Sequence, residues 1–252
     1  MQDLVRMWSN TRMVVLTAVA AAVYAAVLIP FKAIPVIPGL TEIRPAAALP
    51  PLCSILFGPA GAWGSAFGNL IGDFFGMLGP GSIFGFLGNF LYGYIPYRAW
   101  RALSDQEPQR LSPAGWAKLL LAFLLGAGAC ALVIAWGVDL LGLAPFKALV
   151  NIILINNALM ALLISPFLVA ILYPMIKNFG LLAADLLEPA PRSRLSRVGL
   201  VLLIIGILGG LLAGNLLAFG ALNPAGLGLP ALSLPWLVSP FLLILLLGVV
   251  LA

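Results

Sequence analysis

Apolar stretches of roughly twenty residues recur along the chain, separated by short runs of glycine, proline and charged residues. An α-helix needs about 20 apolar residues to cross the roughly 30 Å hydrocarbon core of a bilayer, so these stretches predict membrane-spanning helices. The predicted segments are 13–31, 45–58, 61–78, 82–99, 118–141, 147–176, 198–219 and 235–252. The expected fold is therefore an all-α, polytopic transmembrane helical bundle and not a barrel of alternating strands.

Two segments carry further signals. Gly58 and Pro59 leave only a tight turn between the second and third segments, which predicts a helical hairpin. The sixth segment is long for one span, which predicts either a tilted helix or a kink at Pro166. We divide the chain into a six-helix membrane unit, residues 1–180, and a C-terminal part, residues 181–252, with a charged loop and two additional transmembrane helices.

Composition supports a membrane protein and excludes several kinds of chemistry. Of its residues, 63% are hydrophobic and 8% are charged, whereas about a quarter of the residues of soluble domains are charged. It contains no histidine, which excludes histidine-based metal sites and general bases. Cys53 and Cys130 lie far apart in apolar segments, which predicts buried thiols. No serine or cysteine has a visible base, so we expect neither an enzyme nor a cofactor.

Positive charge predicts the orientation in the membrane, because Lys and Arg in short loops favour the cytoplasmic side. With a cytoplasmic N-terminus, all of the 13 Lys and Arg fall on that side except Lys32, Arg44 and Lys147. We therefore expect a multi-pass protein of the inner (plasma) membrane with both termini in the cytoplasm. The net charge of +5 is explained by these loops beside anionic lipid and does not require a nucleic-acid partner.

Polar residues collect at the outer end of this predicted bundle. Asp73 and Asp139 lie near the outer ends of the third and fifth segments, and Lys147 lies at the start of the sixth. Ionisable groups inside a bundle are costly and usually face a cavity, a partner or a ligand. We expect a loop to act as a lid over a substrate cavity. The predicted substrate-binding residues are Asn69, Asp73, Asn89, Asp139, Lys147, Asn151, and, in the lid, Glu42 and Arg44.

Simpler roles are open for the individual charges. In a simpler role, Asp73 accepts backbone hydrogen bonds from loop 79–82. Asp139 and Lys147 alternatively form a salt bridge with each other at the membrane interface or contact lipid headgroups. Asn156 and Asn157 extend the polar set further inward. The convergence of several polar groups on one level favours a binding site over these alternatives.

Small residues follow helical spacing in two segments. The third segment carries glycines on a four-residue register: Gly64, Gly68, Gly72 and Gly76. In the first segment Ala18, Ala22 and Ala26 form a small-xxx-small surface, which we call the alanine stripe. Both patterns allow another helix to approach closely. For the alanine stripe that helix belongs either to the same chain or to a partner subunit.

The stretch 57–76, FGPAGAWGSAFGNLIGDFFG, and the stretch 78–97, LGPGSIFGFLGNFLYGYIPY, resemble two helices of a known family. They are similar to the third and fourth helices of the substrate-binding S components of energy-coupling factor (ECF) vitamin transporters. The alanine stripe resembles that family's contact surface for a transmembrane coupling subunit. The resemblance covers about residues 10–180.

This resemblance implies that the chain captures a small polar nutrient, such as a vitamin or cofactor precursor, from outside the cell. It also implies a coupling subunit and cytoplasmic ATPases as partners, since the chain has no GxxxxGK[ST] phosphate loop. The two C-terminal helices depart from the six-helix pattern of the family, and we consider that they block or replace the docking of the usual partner. The alternative function is a non-transporting accessory or scaffold subunit of a larger membrane complex.

Overall fold

A computed structural model of the chain describes residues 2–31, 35–37, 41–42, 44–76, 78–104, 106–108, 111–187, 194–222 and 233–252. These residues are mostly helical. The helices are α1 (Gln2–Arg6), α2 (Thr11–Phe31), α3 (Leu49–Phe57), α4 (Pro59–Asp73), α5 (Ser82–Leu103), α6 (Pro113–Leu140), α7 (Phe146–Leu163), α8 (Ser165–Asn178), α9 (Ala183–Leu186), α10 (Arg194–Ala218) and α11 (Leu234–Leu251). Between α2 and α3, β1 (Pro35–Ile37) pairs antiparallel with β2 (Thr41–Glu42), and a 3-10 turn, Pro45–Ala48, leads into α3.

The architecture is the predicted polytopic helical bundle. Among the described residues, six helical stretches are long and apolar enough to cross a membrane: Thr11–Phe31, Pro113–Leu140, Phe146–Leu163, Ser165–Leu186, Leu195–Ala218 and Leu234–Leu251. Helices α4 and α5, which are rich in glycine and polar residues, are not in this set. The outward faces of the spanning helices carry exposed leucine, isoleucine and valine, as expected of surfaces covered by lipid.

The chain turns and breaks where the sequence predicts. Gly58, with φ of +52°, joins α3 to α4, and Pro59 occupies the first position of the new helix. Predicted segment 147–176 breaks at Ile164 into α7 and α8, one residue before the Ser165–Pro166 pair. Pro166 has no N–H to donate to the carbonyl of Leu162, four residues earlier, and its ring crowds that carbonyl, which explains a break just before the proline. The hairpin and the kink are both confirmed.

Gly64 and Gly68 of the predicted glycine register pack against α2, whereas Gly76 lies beyond the end of α4 with no atom within 4 Å of a Cβ placed on it. A Cβ atom on Gly68 would lie 2.8 Å from the Ala21 carbonyl oxygen and 2.9 Å from Cβ of Tyr24, so only glycine fits without a shift of backbone. Gly64 faces Ala20 in the same way, one turn earlier on both helices. The two helices therefore run in the same direction in close contact, as small residues allow in membrane bundles.

Similar contacts fix the direction of the next helices. Gly93 of α5 lies against Ala62 of α4, and Gly85 lies against Asn69. Gly88 of α5 lies against Ile134 of α6, and Pro96 lies against Gly126. Helix α5 therefore runs opposite to α4, and α6 runs opposite to α5. As a result, the last residues of α2, α4 and α6 and the first residues of α5 and α7 lie together. We call this the site end of the bundle.

Helix α6 is at the centre of the bundle. It packs against α5, α7, α10 and α11. In its most apolar stretch 78% of the residues are buried, compared with 33% in those of α10 and of α11. A helix that is apolar on all sides is suited to such a position. Cys130 of α6 and Cys53 of α3 are buried free cysteines, as predicted.

Helices α10 and α11 form a C-terminal hairpin that packs on α6 and α7. Gly206 of α10 contacts the backbone of Leu245 in α11, while Gly210 contacts Leu132 of α6. Helix α2 instead packs on α4 and α3, and all three residues of the alanine stripe are exposed: Ala18, Ala22 and Ala26. The described part of the hairpin thus leaves the alanine stripe uncovered, contrary to the expectation that the two additional helices block it.

Candidate functional site

A cavity of about 280 Å³ opens at the site end between α4, α5, α6 and α7. Its polar lining residues are Arg44, Asn69, Asp73, Ser82, Asn156 and Asn157, and its apolar ones include Ile134, Val138, Leu143 and Ile153. Backbone of the loop between α4 and α5 completes the wall. Small-molecule sites are typically cavities of about 300–1,000 Å³ with apolar walls and a few placed polar groups, so this one suits one small ligand.

The polar wall on α4 is formed by Asn69 and Asp73. Side chains four residues apart lie on one face of a helix, and here Nδ2 of Asn69 donates to Oδ2 of Asp73 at 3.4 Å. Asn69 is 1% exposed and Asp73 is 5% exposed. A carboxylate this deeply buried is costly unless hydrogen-bond donors contact it, and Asn69 is one such donor.

Arg44 joins α4 to α7 across the cavity. Its Nη1 atom donates to Oδ1 of Asn69 at 3.3 Å, and its backbone N–H donates to Oδ1 of Asn156 at 3.4 Å. Arg44, Asn69 and Asp73 thus form a polar chain with a guanidinium at one end and a carboxylate at the other. A ligand in the cavity meets strong donors and strong acceptors along one wall.

Gly85 of α5 leaves the space opposite the polar chain open. A Cβ atom at this position would lie 3.0 Å from Nδ2 of Asn69 and 3.7 Å from Oδ2 of Asp73. The loop before α5 closes on itself, since the Gly79 N–H donates to Oγ of Ser82 at 3.3 Å and the Ser82 N–H donates back to the Gly79 carbonyl at 2.9 Å. Loop and glycine together shape the polar side of the cavity.

Deeper in the bundle, Tyr92 ties three elements together beneath the cavity. Its hydroxyl lies 2.8 Å from the Ala47 carbonyl oxygen and 2.9 Å from that of Asn157. Tyr92 is fully buried and Asn157 is 3% exposed. This hydroxyl fixes the turn before α3, helix α5 and helix α7 relative to one another, so the floor of the cavity is firmly held.

Asn89 and Asp139 contact other parts of the protein and are not among the residues that line this cavity. Asn89 accepts a hydrogen bond from the Tyr24 hydroxyl at 2.9 Å and donates to the Gly85 carbonyl at 2.9 Å, which links α5 to α2. The Asp139 carboxylate lies near the backbone N–H of Phe146 at the start of α7. An acidic side chain is favourable beside the N–H groups of a helix N-terminus.

Lys147 and Asn151 face the C-terminal hairpin and are likewise outside the set that lines the cavity. Nζ of Lys147 lies 5.6 Å from the ring centre of Phe219, and Nδ2 of Asn151 donates to Oδ1 of Asn215 at 2.7 Å. Glu42 belongs to β2, and its side chain is outside the described residues, as is most of the predicted lid.

Of the predicted binding residues, the structure therefore brings Arg44, Asn69 and Asp73 together at the cavity. Asn156, which the sequence indicates only as an inward extension of the polar set, also lines it. Ser82 was not predicted, and no sequence signal distinguishes it, because serine is common at the start of a helix.

Comparison with known families agrees with this arrangement. The family model described as QueT transporter matches residues 14–174, a range that contains every described residue that lines the cavity. Searches of curated proteins and of solved structures return no significant match. The match points to a transporter rather than an enzyme. The chain belongs to the QueT transporter family and is a membrane substrate-binding S component of an ECF-type transporter.

Proposed function

We propose that this S component binds a queuosine precursor, the substrate for which its family is described, in the cavity between α4, α5, α6 and α7. Arg44, Asn69 and Asp73 supply the charged and amide contacts, and Asn156 adds a further amide from α7. The observation that carries the proposal is the polar chain itself: a guanidinium, an amide and a buried carboxylate joined along one wall of a cavity of small-molecule size.

The chemistry of the wall suits a guanine-like base. Queuosine is a modified guanosine, and the hydrogen-bonding edge of guanine presents adjacent N–H donors beside a carbonyl acceptor. Asp73 accepts from the N–H groups, and a charged donor such as Arg44 serves the carbonyl oxygen. Ile134, Val138 and Ile153, on the lining, cover the faces of a flat ring.

The other predicted site residues support the cavity in this proposal. Asn89 and Asp139 hold α5 and the start of α7, as their contacts with Tyr24 and Phe146 suggest. Glu42 keeps its predicted role in a lid over the entrance.

We also infer the orientation and the docking surface. The site end faces the outside, and the chain is embedded in the inner membrane with both termini in the cytoplasm. In support, α2 begins and α11 finishes at the end opposite the site end, because α11 runs antiparallel to α10. The exposed alanine stripe on α2 docks a transmembrane coupling subunit, which works with cytoplasmic ATPases; the packing of the C-terminal hairpin on α6 and α7 is compatible with this.

Binding by the purified full-length chain tests the substrate. We expect saturable binding of the free base of queuosine, one molecule per chain, measured by calorimetry, together with a rise in the thermal midpoint. Ligand at 100 times its Kd stabilises a protein by about 2.7 kcal/mol, which is easily detected. Guanine is the matched control for the substituent that distinguishes the precursor. Absence of saturable binding by any queuosine precursor would refute the proposal.

Co-purification with the coupling subunit tests the docking surface. Ala22→Leu places a large side chain on the alanine stripe, and we expect it to abolish co-purification and uptake while leaving substrate binding by the isolated chain unchanged. Ala170→Leu, the same substitution at an exposed position of α8, is the matched control. Equal behaviour of the two variants would argue against docking at the stripe.

A further inference from the structure

The C-terminal hairpin lies beyond the residues that the family model matches, yet it contacts both helices that form the far wall of the cavity. We propose that this hairpin is a positioning element for substrate binding, in which Asn215 holds α7 so that Asn156 remains opposite Arg44. The inference rests on the proposed substrate cavity and adds a role for residues that do not touch the ligand.

The first contact is a pair of amides between α7 and α10. Nδ2 of Asn151 donates to Oδ1 of Asn215 at 2.7 Å and also lies 2.8 Å from the Lys147 carbonyl oxygen. Nδ2 of Asn215 in turn donates to the Leu211 carbonyl at 2.9 Å. Between apolar helices, a rotation or slip would leave amide groups unpaired, so this pair favours one register of α7 against α10.

Two further contacts hold the first turn of α7. Gly214 has no side chain, which leaves room for the Phe146 ring; a Cβ atom there would lie 2.5 Å from the ring. One residue on, Lys147 places its ammonium group over the ring of Phe219. Because Leu143 in the preceding loop lines the cavity, these contacts also fix the rim of the site.

The other half of the hairpin holds α6. Nε1 of Trp136 lies 2.9 Å from the Pro235 carbonyl oxygen and 3.2 Å from Oγ of Ser239, near the start of α11. The same indole packs edge-on against Phe84, with ring centres 5.8 Å apart. Trp136 lies between Ile134 and Val138, two residues of the apolar wall. The hairpin therefore contacts both helices of that wall near the site end.

The position of Asn151 on α7 explains how its hydrogen bond to Asn215 affects the cavity without a contact to the ligand. Asn151 and Asn156 are five residues apart, so their side chains leave the helix about 140° apart at 3.6 residues per turn. The bond to Asn215 thus fixes the rotation of α7 from one side while Asn156 contacts Arg44 on another. When this bond is lost, the binding-competent rotation is less populated, and the apparent Kd rises in inverse proportion to its population.

Full-length Asn215→Leu tests the inference in binding and uptake assays with the free base of queuosine. Interhelical hydrogen bonds in membrane proteins average about 0.6 kcal/mol and reach about 1.7, so we expect Kd and KM to rise roughly 3- to 18-fold. The number of binding sites per chain and the maximal uptake rate stay unchanged. Leu212→Ala, at a position of α10 that is 63% exposed, is the control and leaves Kd unchanged.

Two milder variants guard against loss of folding. Phe219→Leu removes the contact with Lys147 at a residue that is 68% exposed, and Trp136→Phe removes the N–H donor while keeping an aromatic ring against Phe84. We expect each to raise Kd by roughly 2- to 5-fold, as loss of one weak contact allows. If Asn215→Leu does not fold, the Kd values of these two variants test the positioning role instead.

The outcomes separate the two proposals. If the wild-type chain binds and every hairpin variant retains the wild-type Kd, the positioning role is refuted while the proposed function stands. Fewer sites per chain at an unchanged Kd would also refute it, because that result indicates a purely structural hairpin. If the wild-type chain binds no queuosine precursor, the proposed function fails and the inference fails with it.

Discussion

Replacing the Asp73 carboxylate with an amide is the most direct test of the polar chain. Asp73→Asn keeps the size and shape of the side chain, and its carbonyl oxygen can still accept from Nδ2 of Asn69, the donor that lies 3.4 Å away. The change therefore removes the negative charge and exchanges one acceptor oxygen for a donor. At 5% exposure, solvent does little to compensate for that loss when a ligand is bound.

The expected magnitude follows from the kind of bond that is lost. A hydrogen bond to a charged group contributes about 1.5–3 kcal/mol, so Kd for the queuosine base should rise roughly 10- to 150-fold. Calorimetric titration gives Kd, and a thermal melt without ligand checks the fold.

Asp139→Asn is the matched control, because it makes the same chemical change at the same end of the bundle outside the cavity lining. Asparagine also caps a helix N-terminus well, so the contact with Phe146 is retained and Kd should change less than twofold. An unchanged Kd in Asp73→Asn would refute a direct contact between Asp73 and substrate. An equal loss in both variants would assign the effect to charge at the site end in general.

Three further predictions concern the surroundings of the site. Gly85→Ala adds a methyl group 3.0 Å from Nδ2 of Asn69 and should weaken binding about 10- to 200-fold in the same titration, with little change in the melt of the empty protein. Tyr24→Phe leaves Oδ1 of Asn89 without this donor and should lower stability by about 1–3 kcal/mol at an unchanged Kd; a changed Kd would place Asn89 in the site. Gly68→Ala should lower the thermal midpoint by an amount equivalent to about 1–3 kcal/mol. Gly79→Ala, where the added methyl group meets open space, should leave the midpoint unchanged. Equal midpoints would contradict the close packing of α4 on α2.

The sequence predicts the helices well because their signals are local. A twenty-residue apolar run, a Gly–Pro turn and a proline after a serine each act on the few residues around them, and the hairpin at Gly58 and the break before Pro166 follow directly. The glycine register also predicts close packing, and Gly68 shows it. What the register cannot specify is the neighbour, since any helix with small residues would fit.

The sequence predicts the candidate site only in part. It indicates how far along a helix a residue lies better than it indicates which neighbour the side chain faces. Asp73, Lys147 and Asn151 all belong to helix ends or first turns near the site end, but of the three only Asp73 lines the cavity. Which side of α7 faces the cavity depends on where α10 docks, and that docking is set by contacts such as Gly214 with Phe146 across 68 positions of sequence. The alanines of α2 show the same limit: Ala20 and Ala21 are buried, while Ala22 is exposed.

Low hydropathy in α4 and α5 is compatible with a membrane because other helices cover most of α4 and about half of α5. Most residues of α4 are buried by α2, α3 and α5, so stability there depends on close packing and hydrogen bonding more than on apolar surface. On the opposite side, α10 and α11, each with a mean hydropathy of 2.5, cover α6. The lipid-facing helices thus supply the hydropathy that α4 and α5 lack. Asp73 and Asn69 can then occupy an interior where their hydrogen bonds are strong and a ligand competes with little water.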